Sequence, residues 1–257
     1  MSPWLGAFGA SLVAAAAFAL MSLSLRRQRD TLKRRIEQSS RELERLQKSF
    51  SRFAPAVLVE RIIDRGMLES GDRREVTVMF ADIRGFTRMS EKLDPAIVVK
   101  MLNGYFSRMS GVIRAHHGHV TRVMGDGIMS VFGALEPNPW HPQDAVEAAI
   151  EMRRSLSEYN EGLKASGLPQ LGFGIGIHSG TVVTGLVGSD ELVEFTVMGD
   201  VVNVASRVEA LTRELDADIL VTEDVRNRLS NRFEMRAMPP ALIRGKTSPI
   251  LTWTIGP

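Results

Sequence analysis

The sequence predicts an α+β unit over residues 72–257, an antiparallel sheet with packed helices, behind a transmembrane helix over 4–25, a coiled coil over 26–54 and a short helical connector over 55–71. Three observations lead there. Residues Trp4 to Leu25 carry no charge. Leu32, Ile36, Ser39, Leu43, Leu46, Phe50 and Phe53 recur at alternating steps of four and three, the spacing of a heptad seam. From Glu75 onward, short apolar runs alternate with longer segments of helical period, in the order strand, helix, strand, strand, as in a split βαβ arrangement with extra elements.

The 22 uncharged residues from Trp4 to Leu25 would span roughly 33 Å as a helix, against a hydrocarbon core of about 30 Å. Ala17-Phe18-Ala19 offers the competing reading of a cleavable signal peptide, but no basic residue precedes the run and the run is long. Arg26, Arg27 and Arg29 follow it directly, which predicts a single-pass protein with the remainder in the cytoplasm and Trp4 at the outer interface. Beyond the span, the seam predicts a parallel coiled coil and hence a homodimer; a single amphipathic helix is the alternative, kept open by Ser39 in the seam. Pro55 ends or kinks that helix, and residues 56–63 begin another short apolar one before Gly66.

Hydrophobic residues make up 44% of the 257 and charged ones 24%, the balance of a globular chain. The absence of cysteine excludes disulfides, thiolate metal sites and thiol nucleophiles. Of the 32 Lys+Arg and 30 Asp+Glu, residues 1–65 hold 12 and 6, so the basic excess belongs to the leading arm. The later part lacks a clustered basic face with interleaved aromatics, which sets nucleic acid aside as a partner.

Within the globular part, Glu75–Phe80 reads as a buried strand, and Pro95–His116 as a helix carrying Ile97, Val98, Met101, Leu102, Tyr105, Met109, Val112 and Ile113 on its apolar positions. Runs 120–124 and 128–132 flank Gly125-Asp126-Gly127, a hairpin signature. A helix from Pro142 to about Gly162, a glycine-spaced strand over 171–178, a second strand over 182–186 and a helix over 201–215 complete the pattern.

Asp82 leaves the first strand and Asp126 sits at the adjacent hairpin tip, so both carboxylates can meet over one sheet edge. Two such groups repel unless a cation joins them, and a hard divalent ion is held by this kind of donor set together with substrate phosphates. Gly85-Phe86-Thr87 follows Asp82 and begins a turn or short helix whose backbone N–H groups can receive a polyphosphate; no Walker-type GxxxxGK[ST] string is present. Asn203 and Arg207 lie four residues apart, one helical turn, and can address one ligand. Taken singly, an Asp in a strand-end turn is most often a cap and a Gly-Asp-Gly turn most often a plain hairpin.

The strings FADIRGFT, MGDGIMSVFG, GIGIHSG and VMGDVVNVASR together resemble the class III adenylate and guanylate cyclases of bacteria, over roughly residues 72 to 257. The resemblance implies the ferredoxin-like, palm-type catalytic fold and a head-to-tail dimer with active sites at its interface. Asp82 and Asp126 of one subunit, with the Ile83 carbonyl, would hold two Mg²⁺ or Mn²⁺ ions per site, and Asn203 and Arg207 would come from the other. The implied reaction is attack of the ribose 3′-hydroxyl on the α-phosphorus of ATP with loss of pyrophosphate. Asn203 would orient the ribose and Arg207 would neutralise charge on the α-phosphate; Arg244 matches a position that contacts the terminal phosphates, and Lys246 assists. A solvated hairpin tip is the alternative reading of Arg244 and Lys246. The implied location is the bacterial inner membrane, with a separate membrane sensor as a further expected partner.

At the two base-reading positions the sequence has Arg122 and Thr196, where the family commonly has Lys and Asp or Thr. Threonine suits the adenine amino group, whereas the planar fork of Arg122 suits adenine N1 or guanine O6, so GTP stands as the alternative substrate. Gly172, Phe173 and Gly174 occupy a strand where the family often has a phosphate-binding arginine. These departures keep open a catalytically silent nucleotide-binding module. His178 reads as a structural hydrogen-bonding residue, His116, His117 and His119 as a helix C-terminal cap, and Asp200 as the N-cap of the Asn203 helix.

Overall fold

The structure, a computed structural model, describes residues 28–29, 32–42, 71–188, 193–230 and 232–256. It divides into two units, Met1–Val59 and Glu60–Pro257. In the first, residues 32–42 are helical, and the seam residues Leu32 and Ile36 are both exposed. Among the described residues no helix is long and apolar enough to cross a membrane. The expected span over 4–25, the seam positions Leu43, Leu46, Phe50 and Phe53, and the connector through residue 70 lie outside the described residues.

The second unit runs β1 (Asp72–Ile83), α1 (Phe86–Ser90), α2 (Pro95–Ala115), β2 (Gly118–Met124), β3 (Gly127–Phe132), α3 (His141–Ala165), β4 (Phe173–Gly188), β5 (Val193–Met198), α4 (Asp200–Glu214), β6 (Ile219–Thr222), α5 (Glu223–Arg226), β7 (Met235–Ala237) and β8 (Thr252–Ile255). The sheet order is β2-β3-β1-β4-β6-β8-β7, with β5 hydrogen-bonded to β4 off this path. Every pairing is antiparallel except β4 with β6, so the α+β sheet is mixed through that one crossover, which α4 supplies.

Alternation in the strands builds two layers. Met79, Ala81 and Ile83 of β1 and Phe173, Ile175 and Ile177 of β4 face α2 and α3, where Tyr105, Met109, Ile113 and Met152 complete the larger core. Helix α2 begins where Asp94 accepts a bond from the Ala96 N–H at 2.8 Å and Pro95 takes the first turn. On the opposite face, Val204, Val208 and Leu211 of α4 pack with Ala217, Leu220 and Ile243.

Strand β4 corrects the two-strand reading of 171–186: it is continuous and pairs with β1 from Asp72↔Thr184 to Ile83↔Phe173. Gly180, in the gap between those two expected strands, pairs with Val76, and a Cβ there would lie 2.8 Å from Val201 Cγ2. It is a place of close approach, not a turn. Gly176 plays the same part more severely: its Cβ would sit 2.6 Å from Glu209 Cα and 2.7 Å from the Ala205 carbonyl oxygen. Strand β5 was absent from the sequence reading because Val193–Met198 is too short and mixed in polarity to declare itself. A buried polar chain pins α3 to the sheet: His141 Nδ1 lies 2.7 Å from Thr77 Oγ1, which lies 2.6 Å from Ser179 Oγ. At the far end of α3, Asn160 both donates to and accepts from the Leu171 backbone, at 2.8 and 2.7 Å.

Gly176→Ala should destabilise the second unit by about 2–3 kcal/mol, because the added methyl meets helix backbone that cannot step aside; denaturant unfolding checks this, and Gly111→Ala, which faces open space, is the control. Burial, with the Arg228 charge behind it, lowers the His141 pKa from 6.5 to about 4. The unfolded chain therefore binds the extra proton between those values, and stability should fall as pH drops from 6.5 to 4, by at most about 3 kcal/mol. Melting curves over that range should show this slope in the parent and a flatter one in His141→Asn.

Candidate active site

Strand pairing alone brings the two predicted carboxylates together. Ala81 lies opposite Ile128, and Met124 pairs with Gly127, which leaves Gly125 and Asp126 as a two-residue hairpin loop beside the exit of β1. Gly125 takes φ +63, as such a loop requires of one central residue. A Cβ on Gly127 would lie 3.3 Å from Asp82 Oδ1. The Asp82 carboxyl is raised above the usual carboxylate range by burial first and the Asp126 charge second, with Asp126 also hydrogen-bonded to it; the Ile83 N–H and Arg213 pull the other way. Just beyond, Gly85 adopts φ +66 as the cap of α1, so Phe86 and Thr87 open a short helix as expected.

The second layer of the site comes from α4. Asp82 lies directly opposite Gly174, and because residues directly opposite in an antiparallel pair share a face, the missing side chain of Gly174 leaves room beside Asp82. Thr212 Oγ1 and Glu209 Oε1 fill it, the latter 3.1 Å from where a Gly174 Cβ would be. Arg213 is ion-paired with Asp82. Glu209 is raised to about 7, by burial and then by Asp82. Arg84, inside the FADIRGFT string, donates to the Thr212 and Ala217 carbonyls at 3.2 and 2.6 Å, closing the C-terminal end of α4 against the exit of β1. Sequence reasoning missed Arg84, Glu209 and Arg213. The available signal was that Glu209 and Arg213 form a second i,i+4 pair on the Asn203/Arg207 helix.

The remaining predicted residues gather elsewhere. Asn203 and Arg207 lie about 120° round α4 from Glu209 and Arg213 and about 9 Å along it. The turn before β8 leans on Arg207: Gly245, at φ +79, would place a Cβ 3.2 Å from Arg207 Nη1. Arg244 is exposed on that turn, and Lys246 Nζ lies 2.6 Å from Asp200 Oδ2. Asp200 is thus corrected: Gly199 is the cap of α4 with no side-chain bond, and Asp200 is its first residue, held below the usual carboxylate range chiefly by the Lys246 hydrogen bond. Arg122 is exposed on β2 and Thr196 pairs with Gly185 on β5.

Among the described residues no three His, Asp or Glu side chains are grouped to hold a metal ion, so the three early histidines form no cluster. His116 is the C-cap of α2, and His117, at φ 60, takes the left-handed position. His178 Nδ1 lies 2.8 Å from Thr222 Oγ1, the structural role expected of it. The Asp82/Asp126 pair does fit a hard divalent ion: two neighbouring carboxylates at adjacent strand ends, partly compensated by one guanidinium, are oxygen donors of the right kind. Asp82, Asp126 and the Ile83 carbonyl would hold it, with further ligands drawn from water or substrate.

The profile described as the adenylate and guanylate cyclase catalytic domain matches residues 68–256. The chain is 36% identical over 218 residues to an adenylate cyclase of Anabaena cylindrica, covering 80% of this chain and 42% of that protein; it therefore spans less than half of that relative's length. The crystal structure of the guanylyl cyclase Cya2 superposes with a TM-score of 0.68 at 35% identity, over 72% of this chain and 93% of that one. That of the adenylyl cyclase CyaB from P. aeruginosa gives 0.69 at 27% identity, over 73% and 96%. With these matches and the carboxylate pair in place, the chain belongs to the adenylate and guanylate cyclase catalytic domain family.

Proposed function

We propose that the protein is an adenylate cyclase, converting ATP to 3′,5′-cyclic AMP and pyrophosphate, and that it works as a membrane-anchored homodimer with its catalytic unit in the cytoplasm. The observation that carries this reading is the separation of the site into two halves on one chain: Asp82 and Asp126 meet at the β1 exit, whereas Asn203 and Arg207 address another side of α4. A complete site needs the acidic half of one subunit and the basic half of the next. The exposed Leu32 and Ile36 support a coiled coil that would hold two subunits in that relation.

In such a site the ribose 3′-oxygen bonds to the α-phosphorus, its proton leaves, and the bond to pyrophosphate breaks. Two divalent ions bound at Asp82 and Asp126 would supply the charge that acidifies the hydroxyl and neutralises the leaving group. Asn203 orients the ribose. Arg207 stabilises charge that develops on the α-phosphate, so its contribution falls on the transition state. Gly85, Phe86 and Thr87 face the polyphosphate from one side and Arg244 from the other, with Lys246 sharing its charge between Asp200 and the nucleotide. Thr196 accepts the adenine amino group while Arg122 donates to the ring. Guanylate cyclase is the second reading, favoured by the guanidinium fork of Arg122, which matches guanine O6 and N7.

Asp126→Ala and Arg207→Ala should each lower cyclic AMP formation by about a hundredfold or more in the full-length protein given ATP with Mg²⁺ or Mn²⁺. Co-expressed, the two variants should regain roughly a quarter of parental activity, since half of randomly mixed dimers carry one intact site of two. No recovery from mixed dimers shown to form would refute the shared site, and cyclic GMP as the main product would reassign the base.

A further inference from the structure

Two carboxylates lie within electrostatic reach of the Arg213 guanidinium, and only one of them is hydrogen-bonded to it. Arg213 is bonded to Asp82, which places a protein cation on a carboxylate that the proposed metal site requires. Four residues earlier on the same helix face, Glu209 Oε1 is buried without a hydrogen-bond partner. Both acceptors border the space left by Gly174: Asp82 lies across from it in the ladder and Glu209 Oε1 lies 3.1 Å from its absent Cβ. The Arg213 charge is felt at both carboxylates. Glu preceding Arg at i,i+4 is also the favourable order for a helical ion pair. A buried carboxylate oxygen without a partner is costly, so Glu209 gains whenever a donor reaches it.

We propose that Arg213, an exposed side chain at the end of α4, is a movable cation of the protein's own that competes with divalent ions for Asp82 and crosses to Glu209 when an ion binds. This rests on the reading of Asp82 and Asp126 as metal ligands. Arg213 and Glu209 are positioning residues: neither touches nucleotide, and together they set how readily Asp82 is released. With Arg213 on Asp82, the carboxylate pair is partly neutralised and its mutual repulsion is held in check. With Arg213 on Glu209, Asp82 is free for the ion and the orphaned oxygen is satisfied. The two arrangements differ by one side-chain movement, and a divalent ion shifts the population by its preference for the second.

The test is a titration of the full-length protein with Mn²⁺ alone, without nucleotide, following free Mn²⁺ by electron paramagnetic resonance. Arg213→Gln removes the competitor and should tighten Mn²⁺ binding on the order of tenfold. Glu209→Gln replaces the charged acceptor with a neutral amide, a weaker partner for the displaced guanidinium, and should weaken Mn²⁺ binding severalfold. The double variant decides: with no arginine to accommodate, Glu209→Gln should add little to Arg213→Gln, so the two effects do not sum. Additive effects, or an unchanged affinity in Arg213→Gln, would overturn the proposal while leaving the metal site intact. Mn²⁺ binding that is absent, or indifferent to Asp126→Asn, would instead overturn the metal reading on which it rests. The rise in melting temperature with Mn²⁺ should follow the same order and shows that each variant is folded; Arg213→Lys, which keeps the charge but loses the fork, should fall between the parent and Arg213→Gln.

Discussion

The close seating of α4 on β4 is the constraint on which the rest of the site depends. It exists because Gly174 and Gly176 present no side chains to the helix, so that helix backbone occupies the place of a Gly176 Cβ and Thr212 and Glu209 occupy that of a Gly174 Cβ. With the helix so seated, Arg213 bonds to Asp82 and Arg84 donates to the Thr212 and Ala217 carbonyls. The contact is therefore both structural and electrostatic. It fixes the crossover that makes β6 parallel to β4, and it brings a charged helix face against the strand end that carries Asp82. The cost of the two glycines in backbone entropy is offset by the packing they permit.

The same helix divides the chemistry. Its Glu209/Arg213 face belongs to the carboxylate pair of its own chain, while its Asn203/Arg207 face joins Gly245, Lys246 and Asp200 in a second, basic cluster. Rotation by about 120° round an α-helix cannot be undone by side-chain flexibility alone. On the proposed function, a nucleotide would need both faces at once, and that is the physical argument for proposing a site completed between two copies.

Much of this was legible beforehand. The carboxylate pair, the hairpin that carries Asp126 and the helices α2, α3 and α4 followed from alternation, from Gly-Asp-Gly and from helical period, signals that lie within a few residues of each other. The structural role of His178 was also legible, because a histidine inside a glycine-spaced strand has few other uses. What escaped required knowledge of which elements touch. Gly180 has the same chemistry whether it turns the chain or admits Val201, and only the partner distinguishes the two. Arg84 was read as part of a motif and never as the clamp of a helix more than a hundred residues away. Asp200 looked like an N-cap by position, yet Lys246, on a turn remote in sequence, offers a charged partner stronger than an orphan N–H.

Charge balance explains why this corner of the molecule is poised for a cation. Asp82, Asp126 and Glu209 influence one another, and Arg213 is the guanidinium bonded among them. Burial and mutual repulsion raise both Asp82 and Glu209, and the one guanidinium among them offsets only part of that repulsion. A divalent ion entering between Asp82 and Asp126 adds two positive charges where repulsion is greatest, and it favours the ionised form of every carboxylate in reach. On the proposal that Arg213 crosses to Glu209, the ion that takes Asp82 also frees the guanidinium for the oxygen that lacks a partner. Binding of the ion and transfer of Arg213 would thus be linked through one pair of residues on α4, seated against two glycines of β4.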